Sequence, residues 1–289
     1  MNVYEIITNR IVEKLTEGEI PWKRTWNAKT QAPCSFVSKK NYSGINIFLL
    51  ASQRYQSPYW LTYKQAQTLG GTVRKGEKST PIIFWSFSEK EDESGEIKKS
   101  GFLKYYSVFN TAQVEGLKDL PDFSCDGVSE GLEGSAEEFD MAEEILNNMP
   151  NRPEIKYGFS RACYSPSQDT IMMPERATFT GKSEFYSVIY HEMGHSVDNE
   201  NRLNRKNTGE ISHYGDAIYS KNELVAEFTS AFLCAEAGIS QNVILNQAAY
   251  IQGWLKALKN DSKLLISAAA LAQKSADYIM NRQSETVEA

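Results

Sequence analysis

Two of the three histidines in this 289-residue chain fall in one short run, Tyr190-His191-Glu192-Met193-Gly194-His195. The spacing H-E-x-x-H is informative if the run is helical. Residues four apart then lie one above the other, so His191 and His195 can present two imidazoles to one metal ion. Glu192, one residue after the first ligand, can take a proton from a water held at the same site. Phe185, Val188, Ile189, Met193 and Val197 recur at three- and four-residue intervals, which predicts the helix. Gly194 leaves room for another backbone to come close.

Two histidines do not make a catalytic centre, which ordinarily keeps three protein ligands and one open position. A third is available downstream in Lys221-Asn222-Glu223-Leu224-Val225-Ala226-Glu227-Phe228, a second stretch of helical periodicity. Glu223 is the candidate ligand, and Glu227, one turn on, can accept from the outer N–H of a ligating histidine. The competing role for Glu223 is a capping box with Ser220 at a helix start. Asp198, one turn past His195, reads as a neighbour of the ligands or a surface acid. The longer metzincin pattern would need glycine there and histidine at position 201, where Asp198 and Asn201 stand. His213, the remaining histidine, lies in a Gly/Ser/Tyr-containing loop; it is a further possible ligand or oxyanion partner, and reads more simply as an exposed loop residue. Two histidines and a carboxylate suit Zn2+, and Mn2+ as well.

The elements that must position these groups follow from composition and pattern. The net charge of −6 hides an asymmetry: residues 1–85 carry +7 and the remainder −13. A basic part joined to an acidic part argues for two modules with different partners. The four cysteines are far apart and lack C-x-x-C spacing, which excludes a disulfide framework and a cysteine zinc site. No apolar run is long enough to span a bilayer, and the first residues lack a secretory layout, so the cytoplasm is the expected compartment and no membrane is an expected partner.

Along the chain, helices are expected over residues 2–17, 45–52 and from Thr62 to Gly70-Gly71. Strands follow at Pro81–Phe87 and Phe102–Phe109, with the charged stretch between as a hairpin tip. Residues 115–136 are rich in Gly, Ser, Asp and Glu and read as an acidic linker. A helix at 139–149, short strands near 155–159, 162–164 and 170–174, the two motif helices and two amphipathic helices at 243–258 and 264–280 complete the reading. The strands before the metal helix could offer an edge on which an extended peptide lies. The fold class is α+β: a mixed N-terminal domain with a small antiparallel sheet (1–114), the linker, and a helix-rich zincin-like domain (137–289).

In the N-terminal part, aromatics and cations alternate. Cations can track phosphates and exposed rings can stack bases, a combination suited to single-stranded DNA. The candidate contacts are Trp22, Lys23, Arg24, Trp26, Lys39, Lys40, Tyr42, Asn46, Lys64, Arg74, Lys75 and Lys78. Any one ring is more often core than surface.

Both halves together resemble the ArdC-type antirestriction proteins of conjugative plasmids and phages. The motifs are Ile20-Pro21-Trp22, Tyr42-Ser43-Gly44-Ile45-Asn46, Trp60-Leu61-Thr62-Tyr63-Lys64-Gln65-Ala66 and Val73-Arg74-Lys75-Gly76-Glu77-Lys78 in the first half. In the second they are Ile171-Met172-Met173-Pro174, the H-E-x-x-H run, Arg202-Leu203-Asn204-Arg205 and Asn222-Glu223-Leu224-Val225-Ala226-Glu227. The resemblance implies a single-stranded-DNA-binding domain followed by a zincin-type metallopeptidase domain, with His191, His195 and Glu223 as ligands and Glu192 as general base. It also implies relief of host restriction. Asp198 departs from the glycine expected there. Three functions are thus in play: a DNA-tethered metallopeptidase acting on a protein that the sequence does not identify, a DNA-protecting protein with a structural or vestigial metal site, and a regulator that cuts one dedicated partner.

Overall fold

The computed structural model describes residues 2–22, 32–91, 97–118, 120, 136–205, 217–239 and 247–282. Helix α1 (Val3–Thr16) begins with a reciprocal capping box between Asn2 and Glu5 and stops before Gly18, whose φ of +81° glycine adopts without strain. After β1 (Cys34–Ser35), Gly44 turns the chain at φ +57° into α2 (Ile45–Ala51). Strand β2 (Tyr59–Thr62) precedes α3 (Tyr63–Thr68), capped by Thr62 and Gln65. The sequence pattern runs Tyr59–Ala66 into the helix, whereas the structure makes its first four residues a strand. Four residues rich in aromatic and β-branched side chains suffice for a strand once a partner pairs with them.

Strands β3 (Thr72–Val73), β4 (Thr80–Glu91), β5 (Ile97–Asn110) and β6 (Val114–Glu115) complete the N-terminal part. β1, β2, β5 and β4 form one sheet in that order, and β3 pairs with β6. The β4–β5 hairpin is antiparallel and longer than its apolar runs suggested, pairing from Thr80↔Val108 out to Glu91↔Ile97. The expected linker starts within β6, and most of it lies outside the described residues.

The C-terminal part comprises α4 (Ala136–Asn148), the short strands β7 (Glu154–Lys156), β8 (Cys163–Ser165) and β9 (Thr170–Met172), then α5 (Lys182–Ser196), α6 (Ala217–Ala237), α7 (Gln247–Asn260) and α8 (Leu264–Ile279). The three strands form a sheet ordered β7-β9-β8, so β8 is an edge. The architecture is α+β, as expected. No described helix is long and apolar enough to cross a membrane.

The two parts share one apolar core. Ile7, Ile11 and Leu15 of α1 belong to the same cluster as residues of α6, α7 and α8. The Phe48 ring of α2 stacks on Phe232 (centroids 4.8 Å apart, planes at 4°) and packs on Phe228 at 4.9 Å. Polar ties run the same way: the Thr8 hydroxyl donates to Ser262 O at 2.8 Å, and Gly44 N–H to Gln273 Oε1 at 3.0 Å. Asn46 joins α2 to the hairpin by two buried bonds of 2.8 Å, donating to Ile83 O and accepting from Ile83 N–H.

A shared core predicts a shared transition. Denaturant unfolding followed by near-ultraviolet circular dichroism and by protease cleavage in each half should report one midpoint. Phe48→Ala should lower stability by about 3–5 kcal/mol in both readouts.

Candidate metal centre

Helix α5 carries the H-E-x-x-H run on a surface that is buried nearly all round. Its neighbour α6 is buried without interruption from Leu224 to Cys234, which explains why its sequence is apolar beyond one stripe. The two approach at Gly194, where an added Cβ would stand 3.0 Å from Ala226 Cα and 3.3 Å from Ala226 O. The Ser230 hydroxyl donates to Ser187 O across the same interface at 2.8 Å. This contact sets Glu223 against the two histidines.

The Nε2 atoms of His191 and His195 are 3.0 Å apart. Glu223 Oε2 is 3.5 Å from the first and Glu223 Oε1 3.4 Å from the second. Ligand atoms held at 2.0–2.1 Å around a tetrahedral ion stand about 3.3 Å from one another. The triad therefore fits one small divalent cation, with side-chain exposure of 24 % at His195 and 12 % at Glu223 leaving an approach from solvent. Glu223 lies well inside α6, whose first residue is Ala217, so it is no helix cap.

The surroundings serve the ligands. Buried Glu227 places Oε2 3.4 Å from His191 Nδ1, on the far side of the ring from Glu223. Burial pulls the His191 imidazole down, but Glu223, Glu227 and Glu192 together outweigh it and push the group up to about 10. His195 moves the other way, lowered by burial and by the neighbouring His191. Asp198 pairs with Arg205, which also donates to Leu271 O and the Ser275 hydroxyl, tying the end of α5 to α8, and its charge also acts on His195.

Glu192 is buried, and its Oε2 accepts from the backbone N–H of Tyr164 in β8 at 2.8 Å. This tether was invisible in the sequence, since a backbone N–H has no residue signature. Nor did the sequence reveal what holds β8. Arg202, whose side chain is fully buried, donates to Ser196 O (2.7 Å), Asn151 O (2.7 Å) and the Tyr164 hydroxyl (3.1 Å) and pairs with Asp169. Tyr164 in turn donates to Asp169 at 2.7 Å. The motif around Arg202 was visible as a pattern, without a role.

The expected DNA contacts divide. Lys39, Lys40, Lys64, Arg74, Lys75 and Lys78 are exposed, with Arg74 paired to Glu77 at 2.7 Å and Lys39 Nζ 4.1 Å above the Phe36 ring. Tyr42 is half-buried beside Trp60 and Leu50, and burial pushes its hydroxyl up to about 12. Trp22 is in the core, edge-on to Phe228 and Trp254, and Asn46 is spent on Ile83. Neither offers a surface to a ligand. Lys23, Arg24, Trp26 and His213 lie outside the described residues.

Two family models match the chain. Residues 1–109 match the family described as the N-terminal domain of anti-restriction factor ArdC, and residues 140–271 the zincin-like metallopeptidase family. The chain is 32% identical over 304 residues to the uncharacterized protein y4eC of Sinorhizobium fredii, covering 98% of this chain and 93% of that one. It is also 32% identical over 310 residues to DNA primase TraC of Escherichia coli, of which it spans only 28%. Among solved structures, the antirestriction ArdC protein of the R388 plasmid superposes in its metal-free form with a TM-score of 0.77 at 34% identity, covering 98% of this chain and 100% of that chain. Its Mn(II)-bound form gives 0.75 at 33% identity, covering 99% and 100%.

The helix contact and the Arg202 cluster each generate a test. Gly194→Ala forces α6 outward against backbone, so stability should fall by about 1–3 kcal/mol, with weaker metal retention on dialysis because Glu223 moves with its helix. Arg202→Ala removes the donor from the Ser196 and Asn151 carbonyls and should cost roughly 1–3 kcal/mol in denaturant unfolding.

Proposed function

The chain belongs to the ArdC family of antirestriction proteins, and from that premise we propose that it couples single-stranded DNA binding by its N-terminal part to a metal-dependent peptidase centre. The observation that carries the peptidase reading is the convergence of His191, His195 and Glu223 beside a carboxylate with its own backbone donor. His191, His195 and Glu223 would hold a divalent cation, Zn2+ or Mn2+. When bound, such an ion polarises a substrate carbonyl and acidifies water.

The chain's own residues supply the rest. Glu192 accepts a proton from the attacking water and returns it to the leaving amine. The Tyr164 N–H keeps one of its oxygens fixed, leaving the other to turn toward substrate. Glu227 orients the His191 ring through Nδ1. The chain's edge strand β8 lies next to Glu192, where an extended peptide can be laid down by strand addition.

The DNA-binding reading rests on the family, on the excess positive charge of residues 1–85 and on the exposed lysines there. Relief of restriction during entry of a mobile element is the function that joins the two. A DNA-protecting protein with a purely structural metal site accounts less well for Glu192, which a structural site does not use and which is nonetheless held in place.

Elemental mass spectrometry and a proteolysis assay on DNA-associated host proteins separate the readings. The parent should carry about one metal per chain, and Glu223→Ala should lose it. Glu192→Gln should keep metal and DNA binding and lose cleavage by at least about 100-fold. Cleavage persisting in Glu192→Gln would sink the mechanism; metal absent from the parent would sink the centre.

A further inference from the structure

The rings expected to meet DNA are largely consumed by the core, yet a different set stands in solvent. Phe84, Phe102 and Tyr106 on the β4–β5 hairpin are 46%, 42% and 46% exposed. Cross-strand register assigns their face. Ile82 pairs with Tyr106, Phe84 with Lys104 and Ser86 with Phe102. Opposed residues share a face, as do residues two apart on one strand. Phe84, Phe102, Lys104 and Tyr106 therefore make one patch. Contacts agree: the Phe84 and Tyr106 rings meet edge-to-face at 5.7 Å, and Lys104 Nζ lies 5.1 Å from the Phe102 ring centre. At the root of the same face, Ile82 and Val108 are buried with Trp60 and Leu50, which gives the rings a fixed floor.

The reverse face also exposes rings, Trp85 at 48% and Tyr105 at 49%. Charge separates the two. Lys104 stands in the series of Phe84 and Tyr106, two residues from each of Phe102 and Tyr106. Trp85 and Tyr105 share their side with Ile83, Leu103 and Ser107, which carry no cation. A contiguous set of exposed rings marks a binding surface, and rings set around a cation suit a polyanion whose planar groups are free to stack. A duplex hides its base faces. An uncharged apolar partner would gain nothing from the Lys104 ammonium among the rings.

We propose that this face of the hairpin, with Phe84, Phe102 and Tyr106 as rings and Lys104 as cation, is the platform on which unpaired bases of single-stranded DNA stack. The proposal rests on the reading of the N-terminal part as a single-stranded DNA binder and adds its location and mode. Affinity comes from stacking on a sheet face, and the exposed loop lysines contribute a uniform, salt-sensitive attraction.

The test is fluorescence anisotropy of a labelled oligothymidylate with the full chain, over a range of salt. The double variant Phe84→Ala/Tyr106→Ala should weaken binding on the order of tenfold or more. Phe84→Tyr should bind like the parent. Lys104→Ala should reduce the salt slope by about one. The reverse-face pair Trp85→Ala/Tyr105→Ala should leave affinity unchanged. Thermal unfolding of each variant, unchanged for these exposed positions, excludes misfolding as the cause. Parental affinity in Phe84→Ala/Tyr106→Ala, or the loss appearing in the reverse-face pair instead, overturns the proposal while DNA binding itself stands. A parent that binds no oligonucleotide overturns the underlying reading as well. Loss of a dimer in Phe84→Ala/Tyr106→Ala with DNA affinity intact reassigns the face to self-association and overturns the proposal too.

Discussion

Everything at the candidate centre depends on how closely α5 and α6 pack. The candidate ligands come from two helices, and a carboxylate on one reaches imidazoles on the other only if the backbones nearly touch. Gly194, between the two histidines, permits that approach, with Ala226 on the opposing helix directly against it. The motif thus contains its own packing instruction: the glycine that spaces the helices lies one residue before the second ligand. The geometry is set by packing among groups that are not ligands, so the cluster already has the spacing that a small cation requires.

A helix pressed on one side must be supported on the other, and here the N-terminal part supplies the support. Phe48 of α2 lies on Phe228 and Phe232, and Trp22 on Phe228 and Trp254. Helix α6 is therefore gripped between α5 and elements from the beginning of the chain. This is why segments with opposite charge balance and separate family matches still share a core. Charge records what each part presents to solvent, whereas the core records what each part must hide.

What was legible in the sequence follows from how local each signal is. The H-E-x-x-H helix, the Asn2 and Thr62 caps and the β4–β5 hairpin rest on residues within a turn or a strand of one another, and pattern alone locates them. Glu223 could be picked out as a candidate because two histidines at metal-ligand spacing want a third partner, and the fold sets it beside them. Trp22 and Asn46 were misplaced for the converse reason. Their partners, Phe228 and Trp254 for one and Ile83 for the other, are distant in sequence, and a tryptophan beside cations looks the same whether its ring faces solvent or a helix 200 residues away. The Tyr164 N–H on Glu192 could not be read at all, since every residue but proline carries that donor. The exposed rings of the hairpin looked in sequence like ordinary strand residues. Only the register, read with their exposure, shows that they share one side of the hairpin and meet solvent there.

A net charge of −6 seems at odds with a nucleic-acid ligand, and the resolution is a matter of range. At physiological ionic strength the field of an exposed charge is screened over about 8 Å. A strand of DNA on the proposed face of the hairpin would therefore respond to the charges of that face and scarcely to the acids of the C-terminal part. What matters is that alternation along two paired strands brings Lys104 to the same side as Phe84, Phe102 and Tyr106. A period of two residues thus does locally, for the proposed platform, what a basic isoelectric point does globally in other nucleic-acid binders.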